Sequence, residues 1–216
     1  MTLALRSLED AAAIAPRVTA HLDADGLMAY PTETVYGLGA LAGEAGDDAV
    51  AELKGRPAGK PFLLLVSGVE MLERTGLALN ATARTLAREF WPGPLTLVLP
   101  GGEGTVPSRL RGAEGGVAVR WTSLTPLAAL IEAIGEPITS TSANRPGGPT
   151  APGVDMIEET FADAIAAGQL LVIDGGVLGN VPPSTLVDCT GPVPRLVREG
   201  AIPRDELRRR AGSMAP

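Results

Sequence analysis

The chain has 216 residues, of which 45% are hydrophobic and 20% charged, and its formal net charge is -7. That is enough apolar material for one sizeable core, and no charged or low-complexity block divides it, so a single α/β domain over 1–216 is expected, with its core at about 7–202 and a short basic tail. The acidic balance speaks against a surface that grips nucleic acid through many phosphates. With only Cys189 and His21 of their kinds, neither an internal disulfide, a zinc cluster nor a Ser-His or Cys-His catalytic pair can be assembled. Chemistry must run on oxygen groups, lysine and arginine.

Acidic residues interrupt the N-terminus where a signal peptide needs an apolar stretch, and no run of about 18 apolar residues occurs, so a cytoplasmic protein without a membrane segment is expected. Ser7 to Asp25 reads as a helix, with Ser7 as N-cap, Asp10 three residues on, and Ile14, Val18 and Leu22 in helical spacing before Gly26. Leu27 to Tyr30 is a short buried strand closed by Pro31, and the polar cluster Thr32-Glu33-Thr34 stands at its carboxyl end, where open α/β sheets place ligands. A short helix from Asp47 to Leu53 delivers Lys54 into a Gly- and Pro-rich loop from Gly55 to Pro61. Phe62 to Val66 is a continuous apolar strand.

A helix capped by Asn80 runs to Phe90, followed by strands at Leu95 to Leu99 and Val117 to Arg120, a helix from Thr125 to Ile134 with Pro126 in its first turn, and a strand at Pro137 to Ser140. Beyond the turn Arg145 to Gly153 come a helix, Asp155 to Ala167, and strands at Leu170 to Ile173, Thr185 to Val187 and Arg195 to Val197. The last two have no helix between them, so the sheet is expected to be mixed, with an antiparallel part. Arg204 to Arg210 is a short basic helix.

Two familiar nucleotide motifs fail on spacing. Gly37 to Gly43 has one residue too many for a dinucleotide fingerprint, and Gly55 to Pro61 is one residue short of a P-loop, with Pro61 where a magnesium-binding hydroxyl belongs. What remains is a set of hydroxyls and cations at strand ends: Thr32 to Tyr36, Lys54 to Lys60, Arg120, Ser140 to Asn144, Pro183 to Thr185 and Arg198 to Gly200. Both lysines of the chain, Lys54 and Lys60, fall in one of these segments. Lys offers a point charge and Arg a planar fork, and together with Ser, Thr and Asn they describe a pocket for a ligand with several anionic oxygens. Each piece also has a plain reading. Thr32, Thr34 and Ser140 to Asn144 suit turns, Lys54 and Arg56 suit a solvated helix end, and Arg120, flanked by buried positions, requires an anionic partner that is either a ligand or a carboxylate of the chain.

Taken in register, Pro31 to Gly39, Lys54-Gly55-Arg56-Pro57, Ser142-Ala143-Asn144, Pro183 to Asp188 and Leu196 to Gly200 resemble the YrdC-like family of threonylcarbamoyl-AMP synthases, in its short single-domain form. The resemblance implies an α/β fold with an open concave cleft and a nucleotidyltransferase activity: condensation of L-threonine, bicarbonate or carbon dioxide, and ATP to threonylcarbamoyl-AMP and pyrophosphate. It implies magnesium carried on the phosphates, and a product passed to tRNA threonylcarbamoyl-transferase proteins that modify position 37 of tRNA, with a weak tRNA contact as a further implication. The family's catalytic tetrad falls on Lys54, Arg56, Ser142 and Asn144. Its threonine-binding positions fall on Thr34, Arg120 and Ser184, with Thr32 nearby, and its ATP-binding positions on Arg56, Asn144 and Arg198, to which Lys60 and Thr150 are added as candidates. The chain departs from common family residues at Lys60, Leu65, Gly116 and the pair Arg145-Pro146, which stands where Leu-Ser is common. A double-stranded RNA or tRNA-binding module is the rival reading of the same fold. A carbamoyl-adenylate enzyme of the hydrogenase-maturation type is a second rival, but that type is built into far larger chains.

Overall fold

A computed structural model describes residues 2–56, 60–102 and 106–211. Its strands are β1 (Thr2–Ala4), β2 (Leu27–Tyr30), β3 (Gly37–Gly39), β4 (Leu63–Val66), β5 (Leu95–Leu99), β6 (Val117–Trp121), β7 (Ile138–Ser142), β8 (Leu170–Asp174), β9 (Thr185–Asp188) and β10 (Arg195–Arg198). The helices are α1 (Leu8–Asp23), α2 (Glu44–Lys54), α3 (Val69–Arg74), α4 (Ala81–Phe90), α5 (Thr125–Ile134), α6 (Val154–Thr160), α7 (Ala162–Ala166) and α8 (Arg204–Ala211). The expected mixed sheet is present: β9 and β10 pair antiparallel, whereas β5 with β9 and β4 with β6 pair parallel.

Local chemistry explains the helix starts. Ser7 accepts from the Asp10 N–H while the Asp10 carboxylate accepts from the Ser7 N–H, a reciprocal cap for α1, and the Asn80 side chain caps α4 through the Ala83 N–H. Four elements lie outside the sequence expectation: β1, β3, α3 and a single 3-10 turn at Ser108–Leu110. The helix expected from Asp155 to Ala167 is two helices, α6 and α7, broken at Phe161, whose ring is buried while its backbone leaves helical geometry. The glycines of the rejected dinucleotide fingerprint instead build β3, which pairs antiparallel with both β2 and β7. Gly39 is required there by close approach, because a Cβ on it would stand 1.9 Å from the Thr139 carbonyl oxygen. The failed P-loop spacing of Gly55 to Pro61 falls partly on residues 57–59, which lie outside the described residues.

Strand order along the sheet is β1-β8-β2-β3-β7-β4-β6-β5-β9-β10, so β8 is second and β9 ninth. Residues 175–184 are all that join them. In a flat sheet seven strand spacings of about 4.8 Å put those strands ~34 Å apart, close to the full extension of such a segment. The segment is not extended, since Gly176 has φ 86° and the Val181 N–H donates to the Gly179 carbonyl. The sheet therefore curls, which makes its inner face concave. Helices α1 and α5 pack on each other, α4 packs on β5 and α8, and α2 lies against β2 and β3. No helix among the described residues is long and apolar enough to cross a membrane.

One polar group stands out within the core. Asp47, in the first turn of α2, is 0% exposed, and neither carboxylate oxygen has a hydrogen-bond partner among the described residues. Burial pushes its carboxyl up to about 7, against the opposing pull of the Thr139 hydroxyl and the Arg109 charge. A carboxyl raised in the folded state favours folding in acid, and that advantage is lost as pH climbs from the ordinary value near 4 to about 7. Asp47→Asn should therefore flatten the pH dependence of stability between pH 5 and 7, removing a fall of up to about 1.4 kcal/mol per pH unit, read by chemical denaturation at several pH values.

Candidate active site

Of the four residues implied as a tetrad, the structure brings Lys54, Ser142 and Asn144 into contact at the end of α2, with Arg56 held beside them on Thr141. Gly55 closes the helix in the left-handed conformation, and the side chain of Lys54 turns inward until the residue is only 4% exposed. Its ammonium donates to the Ser142 carbonyl, to Ser142 Oγ at 3.3 Å, to the Asn144 carbonyl at 2.8 Å and to Asn144 Oδ1 at 2.9 Å. Ser142 Oγ donates to Asn144 Oδ1 at 2.6 Å, and Asn144 Nδ2 donates to the Gly148 carbonyl at 2.6 Å. The expected strand-end hydroxyls thus belong to β7, which runs on to Ser142 rather than stopping at Ser140.

Arg56 donates from Nε to the Lys60 carbonyl at 3.0 Å, from Nη1 to Thr141 Oγ1 at 2.9 Å and from Nη2 to the Pro61 carbonyl at 2.8 Å, with its guanidinium 4.9 Å from the centre of the Phe62 ring. Every one of these partners is a neutral oxygen. The buried Lys54 charge is solvated by protein dipoles and pairs with no carboxylate among the described residues, and burial followed by the nearby Arg56 charge pushes its ammonium down to about 8. Such an arrangement favours an anionic ligand, because binding one supplies the missing countercharge.

The expected threonine end is a second cluster, joined to the first through the Tyr36 carbonyl, which accepts from the N–H of Ala143, between Ser142 and Asn144. Thr32 and Thr34 are both buried. The Thr32 hydroxyl donates to the Val35 carbonyl at 2.6 Å and accepts from the N–H groups of Thr34 and Val35, so it is committed to the turn. Thr34 Oγ1 accepts from both terminal nitrogens of Arg120 at 3.2 Å. Arg120, 3% exposed on β6, forms an ion pair with Glu33 at 2.7 Å, and its Nε has no partner among the described residues. Glu33 also accepts from the Thr122 hydroxyl at 2.5 Å and the Ser123 N–H at 3.2 Å.

Ser184 stands at the start of β9, its hydroxyl paired with that of buried Thr96 at 2.8 Å and its carbonyl accepting from Arg198 at 2.9 Å. Burial and then the Arg120 charge lower the Arg198 guanidinium from its ordinary value. Lys60 and Thr150 are exposed, Lys60 touching the tetrad through its backbone carbonyl. A cavity of about 590 Å³ lies outside both clusters, between α3 and α5, and shares only Thr122 and Ser123 with the surroundings of Glu33.

Glu33, Thr122 and Thr96 were not assigned from sequence. A signal was present for the first, since Arg120 required an anionic partner and the strand-end segments hold two carboxylates, Glu33 and Glu199. For Thr96 it was a lone hydroxyl inside an apolar strand.

Burial alone would raise Glu33, but the Arg120 charge and the Thr122 hydroxyl outweigh it and hold the carboxyl below its usual value. The pair's contribution is full above that usual value and lost as pH falls below it. Glu33→Gln should cost about 3 kcal/mol of unfolding free energy at neutral pH, because it leaves a buried guanidinium without its countercharge. A double-mutant cycle with Arg120→Met, followed by denaturant unfolding, should return a favourable coupling between the two positions.

The chain is 39% identical over 189 residues to a threonylcarbamoyl-AMP synthase of Pyrococcus abyssi, covering 87% of this chain and 54% of that one, so it spans about half the length of that relative. It is 37% identical over 182 residues to a threonylcarbamoyl-AMP synthase of Thiobacillus denitrificans, covering 83% of this chain and 94% of that one. The crystal structure of P. abyssi Sua5 complexed with L-threonine superposes with a TM-score of 0.86 at 34% identity, over 99% of this chain and 62% of that one. Residues 20–200 match the family described as "Telomere recombination", which groups Sua5, YciO and YrdC, and the chain belongs to that family.

Proposed function

We propose that this protein is an L-threonylcarbamoyladenylate synthase, a nucleotidyltransferase that condenses L-threonine, bicarbonate or carbon dioxide, and ATP to threonylcarbamoyl-AMP and pyrophosphate. The observation that carries the reading is Lys54, a buried ammonium gripped by Ser142 and Asn144 with no carboxylate paired to it among the described residues. The names of the relatives support the synthase over an RNA-binding module of the same fold.

The reaction requires the threonine amine to become a carbamate, one of whose oxygens attacks the α-phosphorus of ATP while the bond to the β-phosphate breaks and pyrophosphate leaves. Substrate carboxylate, carbamate and triphosphate repel one another, and the protein's task is to hold them together. Arg120, set by Glu33 and Thr34, and Ser184, set by Thr96 and Arg198, would receive the threonine carboxylate and hydroxyl. Lys54 and Arg56 would face the phosphates, donating to oxygens on which negative charge builds in the transition state. Asn144 and Ser142 fix the Lys54 ammonium so that little reorganisation is needed during the reaction. Lys60, Thr150 and Arg198 are further candidates for nucleotide contact. Magnesium would enter with the phosphates of ATP as part of the substrate.

We place the protein in the cytoplasm as a single domain, supplying its product to tRNA threonylcarbamoyl-transferase proteins. The test is to incubate it with ATP, magnesium, bicarbonate and single amino acids and to measure pyrophosphate. Release should depend on threonine, and release that ignores the amino acid would rule the synthase out. Lys54→Ala should lower turnover by about a hundredfold or more. Because the charged ammonium is the working form, the wild-type rate should decline above about pH 8, a limb that the Ala variant lacks in its pH–rate profile.

A further inference from the structure

Beyond the tetrad, Arg145 follows Asn144 directly, at the first position of a tight turn. The Gly148 N–H donates to the Arg145 carbonyl at 3.0 Å, Pro146 holds the second position and Gly147, at φ 78°, the third, which is the arrangement of a type II turn. The same turn carries the Gly148 carbonyl that accepts from Asn144 Nδ2. Its position therefore decides where Asn144 points.

The side chain of Arg145 ties this turn to the rest of the site. Its Nη1 donates to the carbonyl of Leu53, the residue before Lys54, and its Nη2 reaches the Thr160 carbonyl at 3.5 Å, while the guanidinium lies 5.1 Å from the centre of the Phe161 ring. Leu53 and Thr160 lie in the last turns of α2 and α6, where carbonyls lack helical partners and the helix dipole favours a cation. The planar fork of Arg can reach both carbonyls while stacking on the ring, which a Lys cannot do.

We infer that Arg145 is a positioning residue for the nucleotide half of the site, a brace that fixes the Asn144–Gly148 turn against the end of α2 and so sets the distance between Asn144 and Lys54. It need not touch substrate. The inference rests on the synthase reading for its kinetic consequence but not for its structural one. The threonine cluster is held by separate contacts, through Glu33, Thr34 and Thr96, so loss of the brace acts on one substrate and not on the other.

The experiment compares wild type with Arg145→Leu and Arg145→Lys. Native-state hydrogen exchange of the segment 142–149 should quicken at least fivefold in the Leu variant, with little change in melting temperature, because Arg145 is exposed. In pyrophosphate release, the KM for ATP should rise at least fivefold while the KM for threonine stays within twofold, with the Lys variant between the two. Unchanged exchange in 142–149, or equal shifts of the two KM values, would overturn the brace. Absence of threonine-dependent turnover in the wild type would sink the synthase reading instead, and the exchange measurement would still decide for or against Arg145.

Discussion

The ion pair between Glu33 and Arg120 is the contact on which the shape of the cleft depends. Glu33 lies in the turn between β2 and β3 and Arg120 on β6, with β3, β7 and β4 standing between β2 and β6 in the sheet. The 2.7 Å contact crosses that interval and ties the turn after β2 to β6. Geometry and charge reinforce each other here. Thr122 and Ser123 satisfy the carboxylate from below, Thr34 occupies the guanidinium, and the pair brings the polar turn at residues 32–35 over the strand that carries Arg120.

Against this neutralised pair, Lys54, Arg56 and Arg198 have, among the described residues, neutral oxygens as partners in the contacts that fix them. The contrast divides the labour. One cation is spent on shape and keeps a single buried N–H without a partner, while the others retain their field for whatever binds. Buried charge without countercharge lowers the stability of the empty protein, and it persists at functional sites because preorganised dipoles act most strongly where water is excluded.

Much of this was legible in the residues because it is local. The Ser7 and Asn80 caps are written within four residues, and the apolar runs of β4, β5 and β6 are too continuous to be read otherwise. Elements whose reason is distant were not legible. β3 is three residues of Gly-Leu-Gly, a turn pattern by composition, and becomes a strand because β2 and β7 supply its hydrogen bonds from both sides. The break at Phe161 follows from where that ring is buried, which periodicity does not reveal. Within the site, residue types pointed to a set of cations and hydroxyls at strand ends and the family resemblance implied the Lys54 tetrad, but the partner of Arg120 was a pairing between positions 33 and 120, and such pairings are made by the fold.

The ten residues from 175 to 184 connect the second strand of the sheet to the ninth. They form a tether across the open side of a curved surface, with Ser184 at its far end and the Leu178 N–H anchored to the Pro152 carbonyl on the way. A tether that spans a gap has a minimum length but no sharp maximum. Insertions there would add slack at small entropic cost, whereas deletions would draw β8 and β9 together and narrow the cleft, so tolerance to length change in this segment should be strongly one-sided.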